Sequence, residues 1–146
     1  MKPLNLEEAN AETLLKIFKE YKIDAEIDAD RDIRIDGSPA IFLKINEEQN
    51  QIKFFSSIPI TQDDVSKDEG ENFAFIMNLV HKMMRFIYME NEIGNGVFFE
   101  AFLLKKGFID EGYLIEFYQE LRKTISSVQS LIPNIHAIQK IKEGLK

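Results

Sequence analysis

The residues with the chemistry to act are few. Asp28, Asp30 and Asp32 alternate as D-x-D-x-D, the opening of a calcium loop in which acidic oxygens gather a hard cation. The continuation departs from that loop. Its sixth position, where Gly makes the sharp turn, is Ile33, and its twelfth, where a bidentate Glu closes the shell, is Pro39. An acidic strand face in water remains, with no metal expected. His81 and His136 are the only histidines, and neither has a His, Glu or Asp three or four residues on, the spacing that brings two ligands onto one helical face. Ser56 and Ser57 sit in a strand pattern without a recognisable base, and there is no G-x-S-x-G turn. Glu90 and Glu100 are expected to face each other across a hairpin, as solvated like charges rather than as an acid/base pair.

Residues 93–102, IGNGVFFEAF, pose a sharper choice. Gly94, Asn95 and Gly96 could open a phosphate-binding loop or form a hairpin tip. A dinucleotide fingerprint requires a third Gly where this chain has Phe99 and a helix directly after it, and a P-loop requires Gly-Lys-Ser/Thr. An apolar strand pattern follows instead, so the hairpin tip is expected. No catalytic residue, cofactor or metal is therefore assigned.

The totals narrow the class further. A chain of 146 residues fits one domain that buries roughly 70% of its unfolded surface. Cys is absent, which removes disulfides and thiolate metal sites and points to a reducing compartment, read as cytoplasmic. No apolar leader segment opens the chain and no run approaches a membrane span, so a soluble protein without a membrane partner is expected. With 25 Asp and Glu against 18 Lys and Arg the net charge is -7, which disfavours nucleic acid and favours neutral-apolar or cationic partners.

The elements follow from periodicity. A helix is expected from about Leu6 to Tyr21, with Leu14, Ile17, Phe18 and Tyr21 on one face and Asn5 with Glu8 as its cap pair. Alternation through Ile23, Ala25, Ile27 and Ala29, resuming at Ile33 and Ile35, reads as strand. Asp36 to Pro39 is a turn. Strands over Ile41 to Ile45 and Ile52 to Ile58 complete an antiparallel meander. A helix from about Glu71 to Met84 carries Phe73, Ile76, Met77, Val80 and Met84. Residues 85–91 and Val97 to Leu104 form the hairpin, and a helix starting near Asp110 presents Leu114, Phe117, Tyr118, Leu121, Ile125 and Val128. Pro133 and Asn134 interrupt it before a short amphipathic tail spaced by Ile135, Ile138, Ile141 and Leu145. The fold class is α+β: a single domain, residues 1–132, in the order α-β-β-β-α-β-β-α with an antiparallel sheet packed by helices, followed by a C-terminal amphipathic helix, residues 133–146.

The strand from Val97 to Leu104 is apolar on both faces: Phe99, Ala101 and Leu103 on one, Phe98, Phe102 and Leu104 on the other. A sheet with one face in water would alternate with polar residues. Either helices cover both faces or the second face meets a partner. The tail poses the same choice, which makes Phe98, Phe102, Leu104, Ile138 and Ile141 the candidate interface residues.

The stretches RDIRIDGSPAIFLKI, QIKFFSSIPI, NLVHKMMRFIYMENEIGNGVFFEAFLLKKG and YLIEFYQELRKTI, in this order of elements, resemble the YbjN family, assigned to bacterial sensory transduction regulation and similar in fold to the acidic type III secretion chaperones. The resemblance runs from about Leu6 to Val128. It implies a non-enzymatic, commonly dimeric α+β domain that binds protein, in the chaperones an extended effector segment. The function expected is a chaperone-like or regulatory protein-binding module, a homodimer recognising a partner segment through apolar sheet and helix surface. The alternative is a small-molecule sensor with Phe54, Phe86 and Tyr88 around a pocket.

Overall fold

The computed structural model describes residues 2–92 and 94–144, the side chains of 141–143 excepted. The chain is α+β, with an antiparallel sheet packed by helices. Strands β2 (Ala25–Ile27), β3 (Ile33–Ile35), β4 (Ile41–Asn46), β5 (Gln51–Ile60), β6 (Arg85–Glu90) and β7 (Asn95–Leu104) form a six-stranded sheet in the order β2-β3-β4-β5-β7-β6. Strands β1 (Pro3–Asn5) and β8 (Phe108–Asp110) pair antiparallel in a separate two-stranded ribbon that the alternation rule, applied to three-residue segments, does not reveal. The helices are α1 (Ala11–Glu20), α2 (Lys67–Val80), α3 (Glu111–Leu131) and α4 (Ile135–Gly144). The chain divides into two compact units, Met1–Ser56 with Ala101–Glu120 and Ser57–Glu100 with Leu121–Lys146.

In the first unit, the expected helix from Leu6 is broken. Leu6–Glu8 is a 3-10 turn capped by Asn5, and α1 starts afresh at Asn10, whose side chain accepts from the Thr13 amide at 2.9 Å while Thr13 Oγ1 accepts from the Asn10 amide at 3.0 Å. This reciprocal cap is the stronger start signal. The expected long strand from Ile23 to Ile35 is a hairpin instead. Asp28 Oδ1 accepts from the amides of Asp30 and Asp32 at 2.9 and 3.0 Å, and Arg31 adopts φ 66°, so the chain reverses between β2 and β3. Acidic residues that look like a strand face are turn residues. The inward side chains Leu14, Phe18, Ile33, Ile35, Ile41, Leu43, Ile52, Phe54 and Leu114 are all buried. Phe18 meets Tyr118 edge-on at 5.5 Å, and Phe54 meets Phe117 at 5.6 Å. Such pairs contribute about 0.5–1.5 kcal/mol beyond their area.

In the second unit, α2 starts four residues earlier than its apolar stripe suggests. Ser66 and Glu69 form a capping box, and the helix ends at His81, before Met84. Phe73, Ala74 and Met77 are buried, whereas Val80, placed on the stripe by spacing, is exposed. Gly70 is required by close approach: a Cβ there would lie 2.2 Å from Tyr88 Cε1. The tail helix α4 lies along α2, with Ile135 and Ile138 buried, Asn72 Nδ2 donating to Gln139 Oε1, and His136 held by Glu69 and Asp64. Pro133 sits in a 3-10 turn between α3 and α4, as its lack of an amide donor predicts.

Candidate protein-binding surfaces

The first unit turns one sheet face inward and the other to water. Ile33, Ile35, Ile41, Leu43, Ile52 and Phe54 alternate with Arg34, Phe42, Lys44, Lys53 and Phe55, none of which is buried. The register sets Phe42 opposite Phe55, whose rings stack at 5.7 Å, and Lys44 opposite Lys53. At the end of β7, Phe102 and Leu104 stand 53% and 61% exposed while Ala101 is buried. The doubly apolar pattern of this strand therefore resolves into one core face and one face left accessible in the single chain.

The second unit repeats the arrangement. Phe86, Tyr88, Val97 and Phe99 are buried, and on the opposite parity Phe98 faces Ile87 across the β6–β7 register, both part-exposed, with Met89 exposed. Near the hairpin tip a groove of about 420 Å³ is lined by Ser57, Pro59, Met89, Asn91, Gly96 and Phe98. The tip is a turn closed by mutual backbone bonds between Asn91 and Gly94, each 3.2 Å. Gly94, at φ 152°, takes a backbone that other residues rarely adopt, which explains the glycine without any phosphate. Ile93 lies outside the described residues.

Helix α2 carries a second apolar stripe that the sequence reading passes over. Phe75 and Leu79 are each about half exposed, flanked by exposed Val80 and, just past the helix, Met83. Their spacing by four was visible, but the stripe through Phe73 and Met77 satisfied the expectation of one core face. Beside it, Asn78 occupies the outer edge of β6: its Nδ2 donates to the Phe86 carbonyl at 2.9 Å and its Oδ1 accepts from the Phe86 amide at 2.7 Å. The carboxamide thus mimics a neighbouring strand at one residue of an otherwise open edge.

Several of the polar candidates have partners within the chain, whereas the buried His81 Nε2 has no hydrogen-bond partner among the described residues. Glu90 and Glu100 do not face each other: Arg85 lies opposite Glu100 and its guanidinium comes within 3.5 Å, while Glu90 lies opposite Asn95 and accepts from the Tyr88 hydroxyl at 2.9 Å. Burial, then that acceptor, pushes the Tyr88 phenol up to about 12. Burial and the neighbouring Asp28 raise Asp32 above the usual carboxylate range. Among the described residues no group of three or more acidic or His side chains could hold a metal ion. His136 places Nε2 3.2 Å from Asp64 and Nδ1 against Glu69, whose hydrogen bond raises the imidazole above its ordinary pKa. Phe54, Phe86 and Tyr88, the rings considered for a ligand pocket, are all buried, Phe54 in the first unit and the other two in the second.

Of the candidate interface residues, Phe102 and Leu104 are exposed in the first unit, and Phe98 is half-buried in the second. Ile138 is buried in the second unit's own core, because α4 turns that side of its stripe inward. The Ile141 side chain, like Leu145, lies outside the described residues.

No family model and no curated protein matches the sequence. Two solved structures share its architecture. YbjN from E. coli, a candidate transcription regulator, superposes with a TM-score of 0.70 at 13% identity over 88% of this chain and 94% of that one. This is the YbjN fold. A chain of the HopA1–SchA chaperone–effector complex matches with a TM-score of 0.57 at 10% identity, covering 82% of this chain and 92% of that one. The YbjN fold and its likeness to the secretion chaperones, expected from the order of elements, are thereby shown at the level of fold. Among the described residues, no helix is long and apolar enough to cross a membrane.

Proposed function

We propose that the chain is a non-enzymatic, cytoplasmic protein-binding module, chaperone-like or regulatory, that works as a homodimer. The observation that carries this reading is the apolar surface left open: Phe102 and Leu104 on the sheet, and Phe75, Leu79 and Val80 on α2, each at least half exposed. Clustered exposed apolar side chains on a monomer's surface commonly mark a protein interaction site. The α2 stripe, helical and self-complementary in chemistry, suits a second copy; the sheet faces bearing Phe98, Phe102 and Leu104 suit a partner segment laid on them. A fold shared with a chain of a chaperone–effector complex supports protein binding as the role. Fully burying a phenylalanine such as Phe102 against a partner would contribute roughly 1.5–3 kcal/mol.

The test pairs sizing with copurification. Light scattering of the free protein should give a dimer that Leu79→Glu converts to a folded monomer. Affinity purification from the native cell should recover a partner that Phe102→Ser with Leu104→Ser loses while circular dichroism stays unchanged. A monomeric wild type would remove the dimer, and a partner retained by the double variant would remove the sheet face. The small-molecule sensor finds less support, since Phe54, Phe86 and Tyr88 are all core residues.

A further inference from the structure

In the second unit α4 is held on α2 by few contacts, and one of them depends on a proton. Among the described side chains of α4 only Ile135 and Ile138 are buried, and its 10 residues are too few for a helix to persist in water on its own. The polar contacts therefore carry weight. Asn72 Nδ2 donates to Gln139 Oε1, and His136 stands between two carboxylates, with Nδ1 against Glu69 and Nε2 3.2 Å from Asp64. A neutral imidazole has one N–H and one lone pair, so it can donate to only one carboxylate and turns its lone pair on the other. The imidazolium donates to both. Glu69 is also the capping-box acceptor for the Ser66 amide, at 3.1 Å, which fixes its carboxylate where the ring meets it.

We propose that His136 is a proton-operated latch: its imidazolium clamps α4 across Asp64 and Glu69, and loss of the proton lets α4 leave α2. From α2 the ring faces Glu69, from the loop before that helix Asp64, and along α4 the next charge is Lys140, one turn on. Both facing groups are acidic, so the docked helix holds the proton more tightly than a free one, in keeping with the raised pKa of the imidazole. The latch is closed below the unfolded value near 6.5 and opens as pH rises through the docked value. The hinge lies in the 3-10 turn Ile132–Asn134 between α3 and α4, whose Ile132 carbonyl accepts from Gln62 Nε2 at 3.0 Å. Opening bares Ile135 and Ile138 together with the side of α2 that carries Asn72 and, one turn on, Ile76. That strip adds to the exposed Phe75 and Leu79, so pH sets how much apolar surface α2 presents.

Hydrogen exchange of the full chain tests it, read by mass spectrometry on peptides covering α4 and corrected for the intrinsic pH dependence of amide exchange. Protection of α4 should fall about tenfold between pH 6 and 8, the change that one unit of pKa difference produces, while protection of β7 stays level. His136→Gln, which stands in for the neutral ring, should show the low protection at both pH values. Glu69→Gln keeps an acceptor for the Ser66 amide but removes one of the two facing charges, so the fall should move to lower pH. Protection of α4 that stays constant between pH 6 and 8 in the wild type overturns the inference. A fall of equal size in His136→Gln overturns it too, because the switch would then belong to another group. Neither result bears on the protein-binding reading, which is judged separately by loss of the copurified partner in the Phe102 and Leu104 variant.

Discussion

Replacing Gly70 by Ala sets two effects of opposite sign against each other. In an exposed helix interior the change stabilises by up to about 1 kcal/mol through propensity. At position 70 the new Cβ would stand 2.2, 2.3 and 2.6 Å from three atoms of the Tyr88 ring, far inside contact distance. The ring is poorly placed to yield: Tyr88 is buried, and its hydroxyl is bonded to Glu90 at 2.9 Å. Overpacking of this kind costs about 1–3 kcal/mol. The clash wins, and Gly70→Ala should lose about 1 kcal/mol or more, lowering the urea midpoint by roughly 0.3–1 M for the slopes usual in small proteins. The sign should then invert in a Tyr88→Ala background, where the ring is gone and only the propensity gain remains. Equilibrium urea unfolding of the four proteins measures both. A higher midpoint for Gly70→Ala in the wild-type background, or no coupling with Tyr88→Ala, would refute the close packing of α2 on β6.

Other expectations follow from the same surfaces. Asn78→Ala removes both bonds to the Phe86 backbone, so the Phe86 amide should exchange with solvent about tenfold faster, with stability lower by roughly 1–2 kcal/mol; an unchanged exchange rate would mean that Asn78 does not guard the β6 edge. Because the folded-state pKa of His136 is raised by Glu69, its contribution is fully present below the unfolded value near 6.5 and is lost as pH rises through the folded value. An NMR titration should show the His136 pKa falling on Glu69→Gln, and thermal stability should decline between about pH 6 and 8 more in the wild type than in His136→Gln. Phe99→Ala, at a fully buried position, should cost about 3–5 kcal/mol, whereas Phe102→Ser should stay within about 0.5 kcal/mol in chemical unfolding; similar losses for both would place Phe102 in a core.

Legibility tracked the length and regularity of each element. Strands β4, β5, β6 and β7 and helix α3 have enough residues for a period to declare itself, and the chain reversal was legible because Gly94 can take a backbone that other residues rarely adopt, although Asn95 and Gly96, expected at the tip, already belong to β7. Segments that depend on a single side-chain bond were not. Ile23 to Ile35 alternates like one strand, yet the carboxylate of Asp28 folds it into two, and a local hydrogen bond leaves no periodic trace. The β1–β8 ribbon joins residues more than a hundred positions apart, which no local pattern reports.

The candidate surface divides in the same way. Sequence alone determined that β7 has two apolar faces and that the chain is acidic, because these depend only on the order of residue types. Which face is core, that Ile138 turns inward, that Phe75 and Leu79 are left outside, and that Lys44 meets Lys53 beside two stacked rings were decided by tertiary structure. Those facts depend on register and on which elements compete for the same buried area, and a one-residue slip in either would have exchanged inside for outside.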